Sequence, residues 1–136
     1  MNALDQLVPI CVLVVDDDDD LRHVMTLFLR EHGFSVHPAA NDSLAMALAA
    51  EHQPDAAVID IDLGGPTSGF VLAASLRDLI PNIRLFSMSG VVDDVPGREA
   101  TGVLRHFRKP FSVIDVVAAI RAEPSDARLH ERRPRF

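Results

Sequence analysis

Short apolar runs alternate along this chain with longer stretches in which apolar residues recur every three or four positions. The short runs predict β-strands, and the longer stretches predict amphipathic helices between them. The five predicted strands cover residues 10–15, 34–38, 56–61, 83–88 and 103–108. Strands that are apolar on both faces and alternate with helices are typical of a parallel sheet covered on two sides. The pattern therefore predicts an α/β, doubly wound fold with a five-stranded parallel sheet.

Three of the predicted helices carry mostly apolar residues at positions i, i+3, i+4 and i+7, which share one helix face. These stripes are Leu21, Val24, Met25 and Phe28; Leu72, Ser75, Leu76 and Leu79; and Val113, Val116, Val117 and Ile120. Gly33 is placed to end the first helix, and Asn41 is placed to cap the second. Pro96, Gly97 and Gly102 oppose a long helix between the last two strands. We therefore expect the fourth helix to be short or irregular.

Length and composition predict one compact domain at residues 8–122. The chain has 136 residues, of which 48% are hydrophobic, which suits one core and leaves little room for a second domain. Residues 123–136 contain two prolines and seven charged residues, with almost no apolar periodicity. We expect this segment to be a disordered C-terminal tail.

Charge and cysteine content narrow the expected partners and compartment. The net charge is −7 and no basic block is present, so nucleic acid is not expected as a partner. No stretch approaches a membrane span, and the first residues lack the features of a signal peptide. Cys11 is the only cysteine, which rules out a disulfide framework and favours a reducing compartment. We therefore expect a cytoplasmic protein that binds neither nucleic acid nor membranes.

Five consecutive aspartates at residues 16–20 follow the first predicted strand directly. Carboxylates crowded at the edge of a core repel one another unless they share a cation, and Mg²⁺ prefers oxygen ligands. Because Asp16 and Asp17 touch the end of the strand, we interpret them as metal ligands. The alternative is a solvated turn whose aspartates cap a helix and complement its dipole, and we prefer it for the other three aspartates.

Polar residues also occur where three other predicted strands end. Asp60 lies at the end of the third strand, Ser89 follows the fourth and Lys109 follows the fifth. In an open parallel sheet, ligands bind beyond the carboxyl ends of the strands. We therefore expect these side chains to converge with Asp16 and Asp17 in one site of three carboxylates, a hydroxyl and an ammonium group.

Four motifs occur in order along the chain: Val14-Val15-Asp16-Asp17, Pro54-Asp55-Ala56-Ala57-Val58-Ile59-Asp60, Met88-Ser89-Gly90 and Lys109-Pro110-Phe111. Together they resemble the receiver domain of two-component response regulators, over roughly residues 10–122. The resemblance implies a flavodoxin-like fold with strand order 2-1-3-4-5. It also implies phosphoryl transfer from a sensor histidine kinase or a histidine phosphotransfer protein, and an effect on a separate output protein. Apart from self-phosphorylation by phosphodonors and slow self-dephosphorylation, no enzymatic activity is expected.

The resemblance assigns roles to the polar residues at the strand ends. Asp60 matches the aspartate that accepts the phosphoryl group, and Asp16 and Asp17 match the acidic pair that holds Mg²⁺. The backbone carbonyl of Asp62 matches a further Mg²⁺ ligand. Lys109 matches the lysine that contacts a phosphoryl oxygen.

The resemblance also implies a switch beside the acceptor. Ser89 matches the hydroxyl residue that moves toward the phosphoryl group. His106 occupies the place of the switch aromatic, which is more often Tyr or Phe. In the family the bond that corresponds to Lys109–Pro110 is cis. The acyl phosphate would add negative charge and strong acceptor oxygens, to which the Ser89 hydroxyl can donate.

Two other functions fit parts of the same pattern. Asp60-Ile61-Asp62 also resembles the start of haloacid-dehalogenase-type phosphohydrolases, in which the second aspartate is the acid–base. The motif lies in mid-chain here, and Gly64 stands where Thr or Val is expected, so we disfavour this hypothesis. The other alternative is a degenerate receiver that acts only as a binding module, and the full set of core residues counts against it.

Overall fold

The strands form one parallel sheet with the predicted order. The computed structural model describes residues 8–63, 69–90 and 101–132, with the side chains of the last helix as far as Ala122. The strands are β1 (Cys11–Val15), β2 (Ser35–Ala39), β3 (Ala56–Asp60), β4 (Arg84–Ser89) and β5 (Val103–Arg108). They lie in the order β2-β1-β3-β4-β5, and every neighbouring pair is parallel. The predicted α/β sheet and its strand order are confirmed.

Four helices cover the sheet within the described ranges. They are α1 (Asp19–Glu31), α2 (Asp42–His52), α3 (Gly69–Leu79) and α4 (Val113–Arg132). The short or irregular helix expected between β4 and β5 falls largely on residues 91–100, which lie outside the described ranges. None of the described helices combines the length and apolar character that a membrane span requires.

Each face of the sheet has its own apolar layer. Along β1, Val12 and Val14 belong to the layer that includes α1 and α4, whereas Leu13 and Val15 belong to the layer of α2 and α3. All four side chains are fully buried. Burial on both faces explains why β1 reads as a continuous apolar run rather than an alternating one.

Capping residues begin the two helices that follow β1 and β2. The side chain of Asp18 accepts hydrogen bonds from the backbone N–H groups of Asp20 at 3.0 Å and Leu21 at 3.2 Å. Asn41 likewise accepts from a backbone N–H in the first turn of α2 at 2.9 Å. Gly33, just after α1, has a left-handed φ of 90°, which is typical of a residue that ends a helix. These three local predictions are confirmed.

The apolar stripes of α1 and α3 are shifted from the predicted ones. Val24 is 53% exposed and Leu79 is 39% exposed, so these two stripe residues do not lie on the buried face of their helices. Leu29 is fully buried instead. At 3.6 residues per turn, the buried line of α1 runs through Met25 and Leu29, which turns Val24 toward solvent.

The last helix is longer than predicted. α4 continues past Ala122 to Arg132, so the backbone is helical over residues 123–132, where the sequence predicts disorder. Alanine, arginine, leucine and glutamate in this segment favour a helix. An apolar stripe indicates that a helix buries one face, so the lack of a stripe in this sequence does not argue against a helical backbone. Residues 133–136 lie outside the described ranges, and the domain boundary at residue 122 stays a prediction.

Gly69 begins α3 in close contact with the end of β3. A Cβ there would lie 2.6 Å from the carbonyl oxygen of Asp60 and 2.6 Å from the Cα of Ile61. Backbone atoms cannot move aside as a flexible side chain can. Gly69→Ala is therefore expected to lower the free energy of unfolding by about 1–3 kcal/mol, measured by chemical denaturation.

Gly90→Ala is the matched control for this substitution. A Cβ at residue 90 meets no described atom within 4 Å, so its effect should stay within about 0.5 kcal/mol. Equal unfolding free energies for the two variants would contradict the close approach at Gly69.

Candidate functional site

The carboxyl edge of the sheet brings the predicted polar residues together. Asp16 directly follows β1, Asp60 ends β3 and Ser89 ends β4. Lys109 follows β5, and its backbone N–H donates to the carbonyl oxygen of Ser89 at 2.7 Å. The Lys109–Pro110 bond is cis, as the resemblance implies. Because the strands are parallel, all of these groups lie at one edge.

Lys109 joins two buried carboxylates. Its Nζ donates to Oδ2 of Asp60 at 2.9 Å and to Oδ2 of Asp16 at 3.3 Å. Asp16 is 0% exposed and Asp60 is 3% exposed, so solvent screens their mutual repulsion poorly. The ammonium group offsets part of this negative charge.

Burial and neighbouring charges shift the pKa values at this site. Burial raises the pKa of Asp16 to about 6, and repulsion from Asp60 adds to the rise. The backbone N–H of Asp18, which donates to Asp16 at 2.9 Å, and the charge of Lys109 limit it. For Lys109, burial acts to lower the pKa, but the hydrogen bond and charge of Asp60, together with Asp16, outweigh it and raise the pKa. The site therefore keeps Lys109 charged and resists the ionisation of Asp16.

Three carboxylates form an acidic group that fits a divalent cation. Asp16, Asp17 and Asp60 each offer one oxygen, and these oxygens lie within 4.8 Å of one another. Asp17 is exposed while the other two are buried, so the group is open to solvent on one side. Clustered hard oxygen donors of this kind suit Mg²⁺. Ligation by the backbone carbonyl of Asp62 stays a prediction.

The side chain of Asp62 makes a contact that the sequence does not predict. The Oδ2 of Asp62 accepts a hydrogen bond from the Ser89 hydroxyl at 3.1 Å. The backbone N–H of Asp62 donates to Oδ1 of Asp60 at 2.8 Å. Ser89 is fully buried. A carboxylate therefore holds the hydroxyl of Ser89 beside the predicted phosphoacceptor.

His106 is hydrogen-bonded to Ser87, a residue to which the sequence pattern assigns no role. Its Nδ1 lies 2.7 Å from the hydroxyl oxygen of Ser87, its register partner on β4. Ser87 is 2% exposed and lies two residues before Ser89. A serine inside an apolar strand is the available signal, because a buried hydroxyl needs a hydrogen-bond partner.

A doubly wound sheet of order 2-1-3-4-5, with an acidic group and a lysine at its carboxyl edge, defines a receiver-type signalling domain. The chain belongs to the response regulator receiver domain family, whose family model matches residues 12–121. It is thus a receiver domain of the two-component response regulators.

Known proteins support this assignment over most of the chain. The transcriptional regulatory protein PrrA of Mycobacterium bovis is 37% identical over 114 residues, which cover 82% of this chain and 48% of PrrA. The chain spans about half the length of the first curated relatives it matches.

Solved structures share the fold. A CheY-like response regulator receiver domain protein from Methanospirillum hungatei has a TM-score of 0.81 at 22% identity, over 91% of this chain and 99% of that one. A response regulator from Burkholderia pseudomallei, solved with a phosphorylated aspartic acid, a calcium ion and citrate, has a TM-score of 0.76 at 26% identity. That match covers 93% of this chain and 75% of the other. The predicted flavodoxin-like receiver fold is confirmed.

Proposed function

We propose that Asp60 accepts a phosphoryl group from a phosphohistidine of a sensor histidine kinase or a histidine phosphotransfer protein. The position of Asp60 carries this proposal: it is buried at the end of β3, within the acidic group, with Nζ of Lys109 at 2.9 Å. In the transfer, a carboxylate oxygen bonds to phosphorus as the bond from phosphorus to the imidazole nitrogen breaks. The electron pair of that bond stays on the nitrogen. Such a step needs positioning and charge compensation more than acid–base chemistry.

Two donors hold the acceptor carboxylate in place. The backbone N–H of Asp62 donates to one oxygen of Asp60, and Lys109 donates to the other. The ammonium group of Lys109 has three donors, so it can contact a phosphoryl oxygen without leaving the site. Lys109 thereby adds positive charge beside the acceptor carboxylate, where its Nζ also contacts Asp16.

Asp16, Asp17 and Asp60, with the backbone carbonyl of Asp62, are the residues that would hold Mg²⁺. When bound, the ion would offset the repulsion between the acceptor carboxylate and the incoming phosphoryl group. The Burkholderia protein contains a phosphorylated aspartic acid and a calcium ion in one structure. That combination supports a divalent cation at the phosphoacceptor site here.

Ser89 and His106 form the proposed switch. The Ser89 hydroxyl has a single O–H, which donates to Asp62. A phosphoryl group on Asp60 adds strong acceptor oxygens at the same edge, so we expect the hydroxyl to turn toward them. This turn, with movement of His106, would change the affinity for a separate output protein in the cytoplasm. No contact with nucleic acid or a membrane is part of this proposal.

Intact-mass measurement after incubation with phosphoramidate, a small donor with a phosphorus–nitrogen bond, tests the function. We expect one added phosphoryl group with Mg²⁺ and a far slower gain after chelation with EDTA, because the acidic group then repels the donor. A phosphohydrolase built on Asp60 and Asp62 would instead turn over p-nitrophenyl phosphate continuously. A degenerate receiver would gain no mass and turn over no ester. Either of these outcomes would contradict the proposal.

A further inference from the structure

A buried hydrogen bond joins β4 to β5 next to the proposed switch. Nδ1 of His106 and Oγ of Ser87 are 2.7 Å apart, which is well within hydrogen-bond distance. Ser87 is 2% exposed, and a buried hydroxyl left without a partner destabilises a fold. The ring of His106 therefore satisfies Ser87, and Ser87 in turn fixes the ring.

A local irregularity in the strand pairing creates this contact. Leu85 pairs with Val103, but the next residue of β4, Phe86, pairs with Arg105. The register thus shifts by one residue, and Ser87 lies opposite His106. Without the shift, Ser87 would lie opposite Arg105, since each step along one strand is a step along the other.

The bond places the ring at a fixed distance from the switch hydroxyl. Ser87 and Ser89 are two residues apart on one strand and therefore point to the same face. Ser89 pairs with Arg108, so His106 is its diagonal neighbour across the strand pair. The ring therefore lies on the same face of the sheet as Ser89, and the bond to Ser87 holds it there.

We propose that Ser87 is a positioning residue that holds His106 in its unphosphorylated position. This inference rests on the proposed switch function of Ser89 and His106. Phenylalanine has no ring nitrogen for such a bond, and the hydroxyl of tyrosine lies at the far end of its ring. The imidazole at residue 106 is thus matched to the hydroxyl at residue 87. When the Ser89 hydroxyl turns toward the phosphoryl group, the His106 ring can move with it only if its hydrogen bond to Ser87 breaks.

Removal of the Ser87 hydroxyl is expected to favour the switched state. A hydrogen bond of ordinary strength shifts such an equilibrium about fivefold, which corresponds to about 1 kcal/mol. Ser87→Ala should raise the population of the switched state by that factor before any phosphorylation, because the resting position loses the bond and the switched position does not.

Nitrogen NMR of the His106 ring in the full chain tests the inference. The chain has 6 histidines, and His106→Phe identifies the ring signals by their loss. In Ser87→Ala we expect the Nδ1 signal to move away from its resting value, in the direction produced in the native chain by Mg²⁺ with beryllium fluoride, a phosphoryl mimic. Ser75→Ala is the control, because the Ser75 hydroxyl donates to Val71 on α3 at 3.0 Å, away from the switch.

Each outcome of this experiment decides one question. An Nδ1 signal identical in the native chain and Ser87→Ala would overturn the positioning role. If Ser87→Ala fails to fold, Ser87→Cys, which keeps a similar volume with a weak donor, gives the same comparison. In the His106→Phe background, Ser87→Ala should leave unaltered the change in β4 and β5 hydrogen exchange that Mg²⁺ with beryllium fluoride causes, and a further effect on that change would contradict a role exercised through the His106 ring. If the mimic leaves the native chain unaltered, the proposed switch fails, while the resting spectra still decide the Ser87 bond.

Discussion

Asp60→Asn is expected to gain no phosphoryl group under conditions in which Asp62→Asn gains one. The substitution keeps the volume of the side chain and removes the anionic oxygens that would bond to phosphorus. Asp62→Asn makes the same chemical change two residues later, where the carboxylate contacts Ser89 rather than Lys109. A time course of intact mass with phosphoramidate and Mg²⁺ measures both variants.

The pair of variants separates the receiver from the phosphohydrolase. In a receiver, loss of the Asp62 charge removes a repulsion from the incoming group, so uptake should be no slower than in the native chain. In the phosphohydrolase, Asp62 would be the acid–base, and its loss should stop turnover. Equal labelling of Asp60→Asn and the native chain would eliminate Asp60 as the acceptor.

Mg²⁺ is expected to stabilise the fold strongly at pH 7.5 and only weakly at pH 4.5. The pKa of Asp16 in the metal-free fold is about 6, against an ordinary value of 3.8. Between these values the folded protein keeps a proton that the unfolded chain has lost, so metal-free stability falls as pH rises through this window. The fall should be on the order of 2 kcal/mol for this group.

Bound Mg²⁺ reverses that loss because it needs the ionised carboxylates. At a hundredfold excess over its Kd, a ligand that binds only the folded state adds about 2.7 kcal/mol. The difference in melting temperature with and without Mg²⁺ should therefore grow as pH rises from 4.5 to 7.5. The melting temperatures are measured by circular dichroism at constant ionic strength, because the chain lacks the Trp and Tyr that intrinsic fluorescence would need. Asp17→Asn should reduce the difference at pH 7.5, and a native melting temperature indifferent to Mg²⁺ there would contradict the metal site.

The arrangement of the fold follows from burial on both faces of the central strands. Val12 to Val15 are fully buried, as expected for a central strand of a parallel sheet that is covered on both faces. Side-chain directions on the outer helices are less determined, because a drift of one position turns a residue from core to solvent. Val24, half exposed on α1, shows this limit.

The carboxyl-edge rule also places the candidate site, because it depends on topology alone. Asp16, Asp60 and Lys109 lie at the ends of three different strands. The Nζ of Lys109 is within hydrogen-bond distance of both carboxylates. The contacts of Ser87 and Asp62 could not be predicted from the sequence, for two different reasons. The first depends on a register shift in β5, and the second on the rotamer of an exposed carboxylate, neither of which leaves a periodic signal.

The location of the phosphoryl group in the native chain tests the central proposal most directly. Borohydride reduces an acyl phosphate on aspartate to an alcohol, which converts that residue to homoserine and marks it permanently. After incubation with phosphoramidate and Mg²⁺, peptide mapping by tandem mass spectrometry identifies the marked position. We predict homoserine at residue 60 and at no other aspartate, with no mark after chelation by EDTA. Homoserine at residue 16, 17 or 62, or a phosphoryl group retained on Ser89 or a histidine, would contradict the assignment of Asp60.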